Sequence, residues 1–355
     1  MKRIAIVVTS LTGSGAEKVA LTQAELFQEN GHQVVLFLLD NVKKYDTNDY
    51  NFPIIPLTKG KNVYKVFGKF GDFIYAKILQ SKMDKFGKFD MILSNLPRAD
   101  RVVKRLKYSK KYFVIHTSYK AELEKFNWVR AVKKLKLYRY LYQDEKIIVV
   151  AKNIIDDFDE LHIKYAQATT IYNPFFVDEI RTKGNEVIDI PYEYIISPSA
   201  FRAEKRYDVM LDAFKMVRHN VKLLILAKKD PKIEEMIRSR GLEERVVVLG
   251  FQQNPYKYIK NAKLLILSSD REGLPTVVIE SLILGIPVVS TDCPTGPREI
   301  LIDELSRWLV PVANPVELAQ RIEEALDSDI SIQEKYIEKF DKENIYEKFV
   351  QLWEN

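Results

Sequence analysis

Apolar positions along the chain fall into short continuous runs separated by amphipathic stretches. RIAIVVTS, HQVVLFLL, FPIIPL, FDMILSN, KYFVIHTS, KIIVVA and TTIYNP are strand-length runs in the first half. They are mostly continuous and not alternating, the pattern of strands covered on both faces in a parallel sheet. Between several of them lie helical segments such as AEKVALTQAELFQENG, which closes on Gly31 as a C-cap. A polar stretch, VDEIRTKGNEVIDIPYEY, interrupts the pattern and reads as a linker. The alternation restarts with YIISPSA, VKLLILA, RVVVLGF, AKLLILSS and IPVVSTD, with YDVMLDAFKMVRH and PVELAQRIEEALDS among the helices. The last helix, ENIYEKFVQLWEN, carries aromatics. Two successive arrays predict an α/β protein of two doubly wound parallel-sheet domains, residues 1–178 and 190–338, with a helix at about 340–355 packing back on the first. Ligands of such sheets lie outside the carboxyl ends of the strands, and a cleft between two such domains is a favoured place for a pocket.

Composition narrows the class. The chain has 355 residues, 46% hydrophobic and 29% charged, without low-complexity tracts. Its apolar runs are too short to span a bilayer, and MKRIAIVVTSLTGSG reads as a first strand in preference to a signal peptide. A single cysteine, Cys293, excludes an internal disulfide framework and suits a reducing cytoplasm. Four histidines and one cysteine offer no zinc cluster, so no metal is expected. The net charge of +6 is unevenly placed: Arg101–Lys146 holds 14 Lys/Arg against 4 Asp/Glu, a balance of +10, leaving −4 elsewhere. This segregation points to an anionic surface or partner for the first half.

The chemistry concentrates in REGLPTVVIESLILGIPVVSTD, Arg271–Asp292. Pro275–Leu284 reads as a helix apolar almost all round, with Pro275 suited to its first position. Thr276 and its neighbours then offer free amides at a helix N-terminus, an anion site. Glu280, one turn on from Thr276, shares its face. Glu272 stands at the mouth. A nucleoside diphosphate sugar fits this arrangement; a carboxylate satisfied by local backbone or an arginine, with Glu272 simply solvated, fits it as well.

The Glu272-x7-Glu280 pattern in EGLPTVVIE, followed by SLILGIPVVSTDCPTGPREIL, resembles the carboxyl half of the retaining glycosyltransferases of family 4, which have the GT-B fold. The resemblance implies two Rossmann-like domains facing across a cleft and a UDP-sugar donor. It implies that Glu280 binds the ribose hydroxyls, that Glu272 contacts the transferred sugar near the reacting carbon, and that the backbone of Gly273, Leu274 and Thr276 receives the phosphates. Pro275 lies in that loop without an N–H to give. An Arg and a Lys of the family clamp the diphosphate. In SPSAFRAEKRYDVMLDAF, Lys205 takes the lysine's place, but the arginine's position, five residues earlier, is Ala200. Arg202 from a shifted loop, or Arg206, would serve, or the clamp has lost a member.

In the first domain, TSLTGSGAEKVA places a glycine-bearing loop between strand and helix. With Lys18 where a third glycine would stand it is no dinucleotide fingerprint. The resemblance makes Gly15, with Ser14 for the first glycine of a pair, a neighbour of the diphosphate. Glu17 opens the helix, either complementing its dipole or meeting the acceptor. His116, at a strand end in YFVIHTSY, matches the family's histidine facing the donor sugar. Asn173 and Pro174 match a strand end meeting the cleft, and Asn95 is a further candidate there. Arg298, a cation at a helix start, hints at an anionic contact. DDFDEL contains an Asp-x-Asp triplet, but Ile154, Ile155, Phe158 and Leu161 make a helical stripe, so the acids read as a solvated face and no metal is implied.

KFNWVRAVKKLKLYRYLY, Lys125–Tyr142, interleaves Lys133, Lys134, Lys136 and Arg139 with aromatics and aliphatics. It suits a membrane interface or, equally, a helix whose apolar stripe packs on the sheet. Lys59–Lys69 and Arg101–Lys111 add basic charge. The resemblance implies a glycan acceptor, often lipid-linked, and the basic half fits the anionic inner face of the plasma membrane, for a cytoplasmic, peripherally attached protein. The expectation is a metal-independent retaining hexosyl- or N-acetylhexosaminyltransferase, monomeric or weakly oligomeric, without cofactor and without nucleic acid. A sugar-nucleotide epimerase or hydrolase of the same fold, or a non-catalytic basic membrane adaptor, are the alternatives.

Overall fold

A computed structural model describes residues 1–12, 15–42, 47, 50–58 and 70–354. The chain divides into two compact units, Met1–Phe175 with Lys342–Asn355, and Phe176–Asp341.

The first unit carries a seven-stranded sheet. Its strands are β1 (Arg3–Val8), β2 (Gln33–Leu38), β3 (Ile54–Pro56), β4 (Met91–Asn95), β5 (Lys111–Ile115), β6 (Lys146–Val149) and β7 (Gln167–Thr170). The order is β3-β2-β1-β4-β5-β6-β7, every pairing parallel. The connections hold α1 (Gly15–Glu29), α2 (Gly71–Met83), α3 (Pro97–Val103), α4 (Tyr119–Leu123), α5 (Trp128–Tyr142) and α6 (Asn153–Glu160). β4 is buried along its whole length and β1 from Ile4 onward, as continuous apolar runs require. Chain order reverses between β1 and β4, so the loops leaving these strands flank the switch point where such sheets bind ligands.

The second unit repeats the plan with six strands: β8 (Tyr194–Ser197), β9 (Lys222–Ile225), β10 (Val246–Val248), β11 (Leu264–Leu267), β12 (Val288–Thr291) and β13 (Leu309–Val310). The parallel order β10-β9-β8-β11-β12-β13 reverses between β8 and β11. Its helices are α7 (Val177–Gly184), α8 (Tyr207–Met216), α9 (Pro231–Arg238), α10 (Tyr256–Lys260), α11 (Thr276–Ile283), α12 (Pro297–Ile300) and α13 (Pro315–Leu326). The polar stretch expected to be a linker is therefore corrected at its start. Val177–Gly184 is helix α7, which buries Val177 and Ile180 and packs on α10 and α11.

The final helix, α14 (Lys342–Glu354), belongs to the first unit. It buries Ile345, Phe349 and Leu352, side chains worth about 1.5–3 kcal/mol each when fully withdrawn from water. Phe349 meets Phe27 of α1 edge-on at 4.9 Å, and Tyr346 Oη lies 2.8 Å from His32 Nε2. No helix among the described residues is long and apolar enough to cross a membrane.

Candidate functional site

In the second unit the loops after β8 and β11, on either side of the switch point, are zipped together. Asp270 N donates to Glu204 O at 2.9 Å, and Ser268 Oγ donates to Lys205 O at 2.7 Å. Arg271 pairs with Glu204 at 3.2 Å, and Arg206 pairs with Asp270 at 2.9 Å and with Asp208 at 2.8 Å. At the centre Lys205 Nζ meets Glu272 Oε1 at 2.6 Å, and Ser269 Oγ donates to the same oxygen at 2.5 Å. Both members of this pair are largely enclosed, their side chains 19% and 12% exposed. A cation and a carboxylate this sheltered are held by geometry, and a ligand's phosphate would compete with Glu272 for Lys205.

The loop after β12 braces the same place. Thr291 Oγ1 donates to Ser269 O at 2.6 Å, and Thr295 Oγ1 donates to Glu272 O. Gly296, at φ +93°, lies so close that a Cβ there would stand 2.3 Å from Gly273 O and 2.5 Å from Pro275 Cδ. Only glycine fits both the backbone and the space. Gly273 and Leu274 are buried by this packing.

α11 begins at Thr276. Pro275 precedes it in extended conformation, φ −71° and ψ 100°, correcting the expectation that Pro275 opens the helix. The amides of Thr276 and Val277 remain at the helix start, where the first N–H groups have no intrahelical acceptor. Glu280 is half-buried, not sunk: its helix side adjoins α10, whose Tyr256 Oη donates to Oε1 at 3.5 Å.

Among the phosphate-clamp candidates, Arg206 is committed to Asp208 and Asp270, its backbone in the left-handed region at φ 47°. Arg202 is exposed and makes no ion pair among the described residues. Arg298 makes the anionic contact expected of it with Asp292, bonded through Nε at 3.0 Å and through Nη2.

In the first unit the strand ends gather a second set. Glu17, 2% exposed, accepts from Ser10 Oγ and from Thr12 Oγ1, each at 3.1 Å. Gly15 starts α1 with open space around it; Gly13 and Ser14 lie outside the described residues, as does Lys59–Lys69. Asn95, wholly buried at the end of β4, takes the Nε2 proton of His116 on Oδ1 at 2.7 Å, while its Nδ2 has no partner. Enclosure of the ring pushes His116 down to about 4, so it is neutral, with Nδ1 left as an acceptor. The next residue, Leu96, carries φ 78° and ψ 141°, a costly conformation that sits at a strand end beside this pair. Asn173 is 4% exposed with Oδ1 unpartnered.

Two further expectations change. Asp157 of the Asp-x-Asp triplet is not solvated: it is 7% exposed and accepts from Ser118 Oγ and Lys120 N, and burial raises its carboxyl. In α5, Lys134 pairs with Glu122 and Arg139 donates to Leu161 O at 2.7 Å, whereas Lys133 and Lys136 are exposed without an ion pair among the described residues. Among these residues no three His, Cys, Asp or Glu side chains converge as a metal site. Sequence reasoning missed Ser269, Asp270, Arg271 and Thr295; the last three act on partners distant in the chain, and Ser269 is tied to Thr291 as well as to nearby Glu272, so only the glycine-proline turn at Gly296 signalled a tight loop.

Residues 13–179 match the family model described as Glycosyltransferase Family 4, and residues 178–343 that described as Glycosyl transferases group 1. An uncharacterized glycosyltransferase of Methanocaldococcus jannaschii is 35% identical over 48% of this chain and 45% of its own length, so the chain spans about half of that relative. The N-acetylgalactosamine-N,N'-diacetylbacillosaminyl-diphospho-undecaprenol 4-alpha-N-acetylgalactosaminyltransferase of Campylobacter jejuni is 26% identical over 93% of this chain and 91% of its own. In fold, the chain is similar to the Anabaena protein HepE in complex with UDP and glucose, with a TM-score of 0.80, 17% identity and 99% of each chain covered.

Proposed function

Because the chain belongs to the group 1 and family 4 glycosyltransferases, we propose that it moves a hexosyl or N-acetylhexosaminyl group from a UDP-sugar to a glycan acceptor carried on a lipid, with retention at the anomeric carbon and no metal. The observation that carries the reading is the Lys205–Glu272 pair, enclosed at the N-terminus of α11 by three strand-end loops. The diphosphate takes the amides of Thr276 and Val277 and draws Lys205 from Glu272. Glu272 is then released toward the sugar, and Glu280 receives the ribose hydroxyls beside Tyr256. Lys205, with Arg202 as second cation, neutralises the departing UDP, the main electrostatic task of the step. Retention follows when the acceptor hydroxyl attacks from the leaving group's own face and passes its proton to the departing phosphate oxygen. In the first unit, neutral His116 and Asn95 serve sugar hydroxyls, and the basic surface serves a lipid-borne acceptor at the inner membrane face. The Campylobacter relative's name, which contains a diphospho-undecaprenol acceptor, and the UDP and glucose bound by the Anabaena protein support this choice. Assembly of a surface polysaccharide or lipopolysaccharide is the corresponding role.

The test is a donor screen by UDP release with membrane lipid extract as acceptor. Acceptor-dependent release from one UDP-sugar, with retained configuration by NMR and full activity in EDTA, is expected. Equal release without acceptor would instead mark a hydrolase, and no release from any UDP-sugar would refute the reading. Lys205→Ala should lower turnover at least tenfold; turnover at the wild-type rate would remove the lysine from the phosphate role.

A further inference from the structure

β4 runs into a residue whose backbone few side chains adopt. Leu96 sits at φ 78° and ψ 141°. Pro97, which follows, favours such a ψ, but the positive φ borders a region that is essentially glycine's own. A cost of this kind persists only where the surroundings over-determine it. Here two hydrogen bonds close across Leu96: Ser94 Oγ donates to Asp100 Oδ1 at 2.6 Å, and Asp100 N donates to Leu96 O at 3.1 Å. Tyr142 Oη holds the other carboxyl oxygen at 2.8 Å, with Tyr119 Oη 2.5 Å from Tyr142 Oη. Ser94, Asn95 and Asp100 are all wholly buried, a setting in which such bonds are strong and costly to break.

Successive strand residues face opposite sides of a sheet. Ser94 therefore takes the clamp on one side, and Asn95 is left facing the other. Asn95 pairs in register with Val114 of β5, and His116, two residues further on, meets its Oδ1 through Nε2 at 2.7 Å. Asn95 Nδ2, equally buried, has no partner. A carbonyl oxygen on Nε2 requires the proton there, which leaves the other nitrogen of the neutral ring with its lone pair. We propose that the Ser94–Asp100 clamp, by holding Leu96 in its strained turn, aims the Asn95 carboxamide and so fixes His116 as the Nε2–H tautomer, with Nδ1 kept as an acceptor. Ser94, Leu96 and Asp100 are then positioning residues. The inference deepens the reading in which His116 and Asn95 serve sugar hydroxyls and rests on it for its purpose only. An acceptor nitrogen beside a spare amide donor suits a hydroxyl that gives one hydrogen bond and takes another.

The full chain, with isotope-labelled histidine and free of donor and acceptor, is followed at neutral pH by long-range proton–nitrogen NMR correlation. The His116 signals are assigned by their loss in His116→Gln. The wild type should show one protonated and one lone-pair ring nitrogen, widely separated. Ser94→Ala and Leu96→Gly should each draw the two nitrogens toward a common averaged position, whereas Asp100→Asn, which keeps a hydrogen bond to Ser94, should hold the wild-type separation. Leu96→Gly should melt close to the wild type, because relief of strain offsets the freer unfolded chain, so its altered signature cannot come from unfolding. In the transfer assay its kcat/KM should fall about 2–10-fold, the worth of one neutral hydrogen bond. A wild-type His116 that is averaged or protonated on Nδ1, a wild-type separation kept in both Ser94→Ala and Leu96→Gly, or an averaged ring with full kcat/KM would overturn the proposal. The nitrogen signals need no turnover, so the expected signatures in a chain that transfers no sugar would sink the enzymatic reading alone.

Discussion

Asp100 is a buried carboxyl whose cost can be read from the pH dependence of stability. It lies in α3, wholly enclosed, accepting from Ser94 Oγ at 2.6 Å and from Tyr142 Oη at 2.8 Å, with no ion pair among the described residues. Desolvation dominates the two hydrogen bonds and pushes its pKa up to about 8, from 3.8 in the open chain. Between these values the folded protein holds a proton that the unfolded chain releases. The group's contribution is therefore complete below about 3.8 and drains away as pH rises toward 8, at about 1.4 kcal/mol per pH unit. From pH 5 to pH 7 the loss is about 2.7 kcal/mol. Asp100→Asn keeps the shape and cannot ionise. Relative to the wild type it should gain about 2.7 kcal/mol over that interval, then level off above pH 8. For a unit of this size that is a relative rise in melting temperature of roughly 5–11 °C. The amide leaves Tyr142 to turn its proton toward Tyr119 Oη, 2.5 Å away; any fixed cost of that rearrangement displaces the whole curve without changing its slope. Calorimetry at pH 5, 6, 7, 8 and 9, following the first unit's transition in both proteins, measures the difference. Parallel curves, or a variant that falls behind as pH rises, would refute the buried protonated carboxyl.

Arg206→Gly should separate stability from ligand affinity. Glycine relieves a left-handed residue of about 1–2 kcal/mol, and the part-exposed pairs to Asp208 and Asp270 return at most about 1 kcal/mol each. Stability should thus stay within about 1 kcal/mol of wild type while UDP affinity by calorimetry falls several-fold, because the two loops lose a brace; unaltered affinity would deny Arg206 a positioning role. Gly296→Ala, forced against Gly273 O, should cost at least about 1–3 kcal/mol in melting experiments and impair UDP binding, and a variant melting with the wild type would show that the loops yield freely. His219 is held by Glu323 Oε1 and Asp327 Oδ1, each at 2.9 Å, and the hydrogen bond to Glu323 leads the causes that raise its pKa. Its stabilisation is complete below pH 6.5 and is lost as pH climbs through the raised value, so His219→Gln should flatten the second unit's pH–stability profile in that window; an unchanged profile would count against the pair.

What the chain disclosed beforehand depended on the range of the interactions concerned. The parallel sheets were legible because burial on both faces demands continuous apolar runs, and β4 and β11 are that demand written in four or five residues. α7 was missed because eight residues with only Val177, Ile180 and Gly184 buried give periodicity too little to act on. The start of α11 could be placed from Gly273-Leu274-Pro275 and the run after it. Its brace could not: Glu204, Lys205 and Arg206 meet Arg271, Glu272 and Asp270 from 64–67 positions away, and RAEKRYD shows at most the local pair of Arg206 with Asp208. Glu280 shows the same limit in reverse. An acid in an apolar helix invites the inference of deep burial, yet burial belongs to the face and to what covers it, and this face borders α10 with Tyr256 alongside. α5 completes the point, since its apolar residues occupy both arcs of the helix. Tyr138 and Leu141 are buried within the unit, whereas Trp128 and Val132 stay largely exposed. A stripe in the sequence states that a surface wants to leave water, whereas only the packed chain shows which half has done so and which half stays exposed.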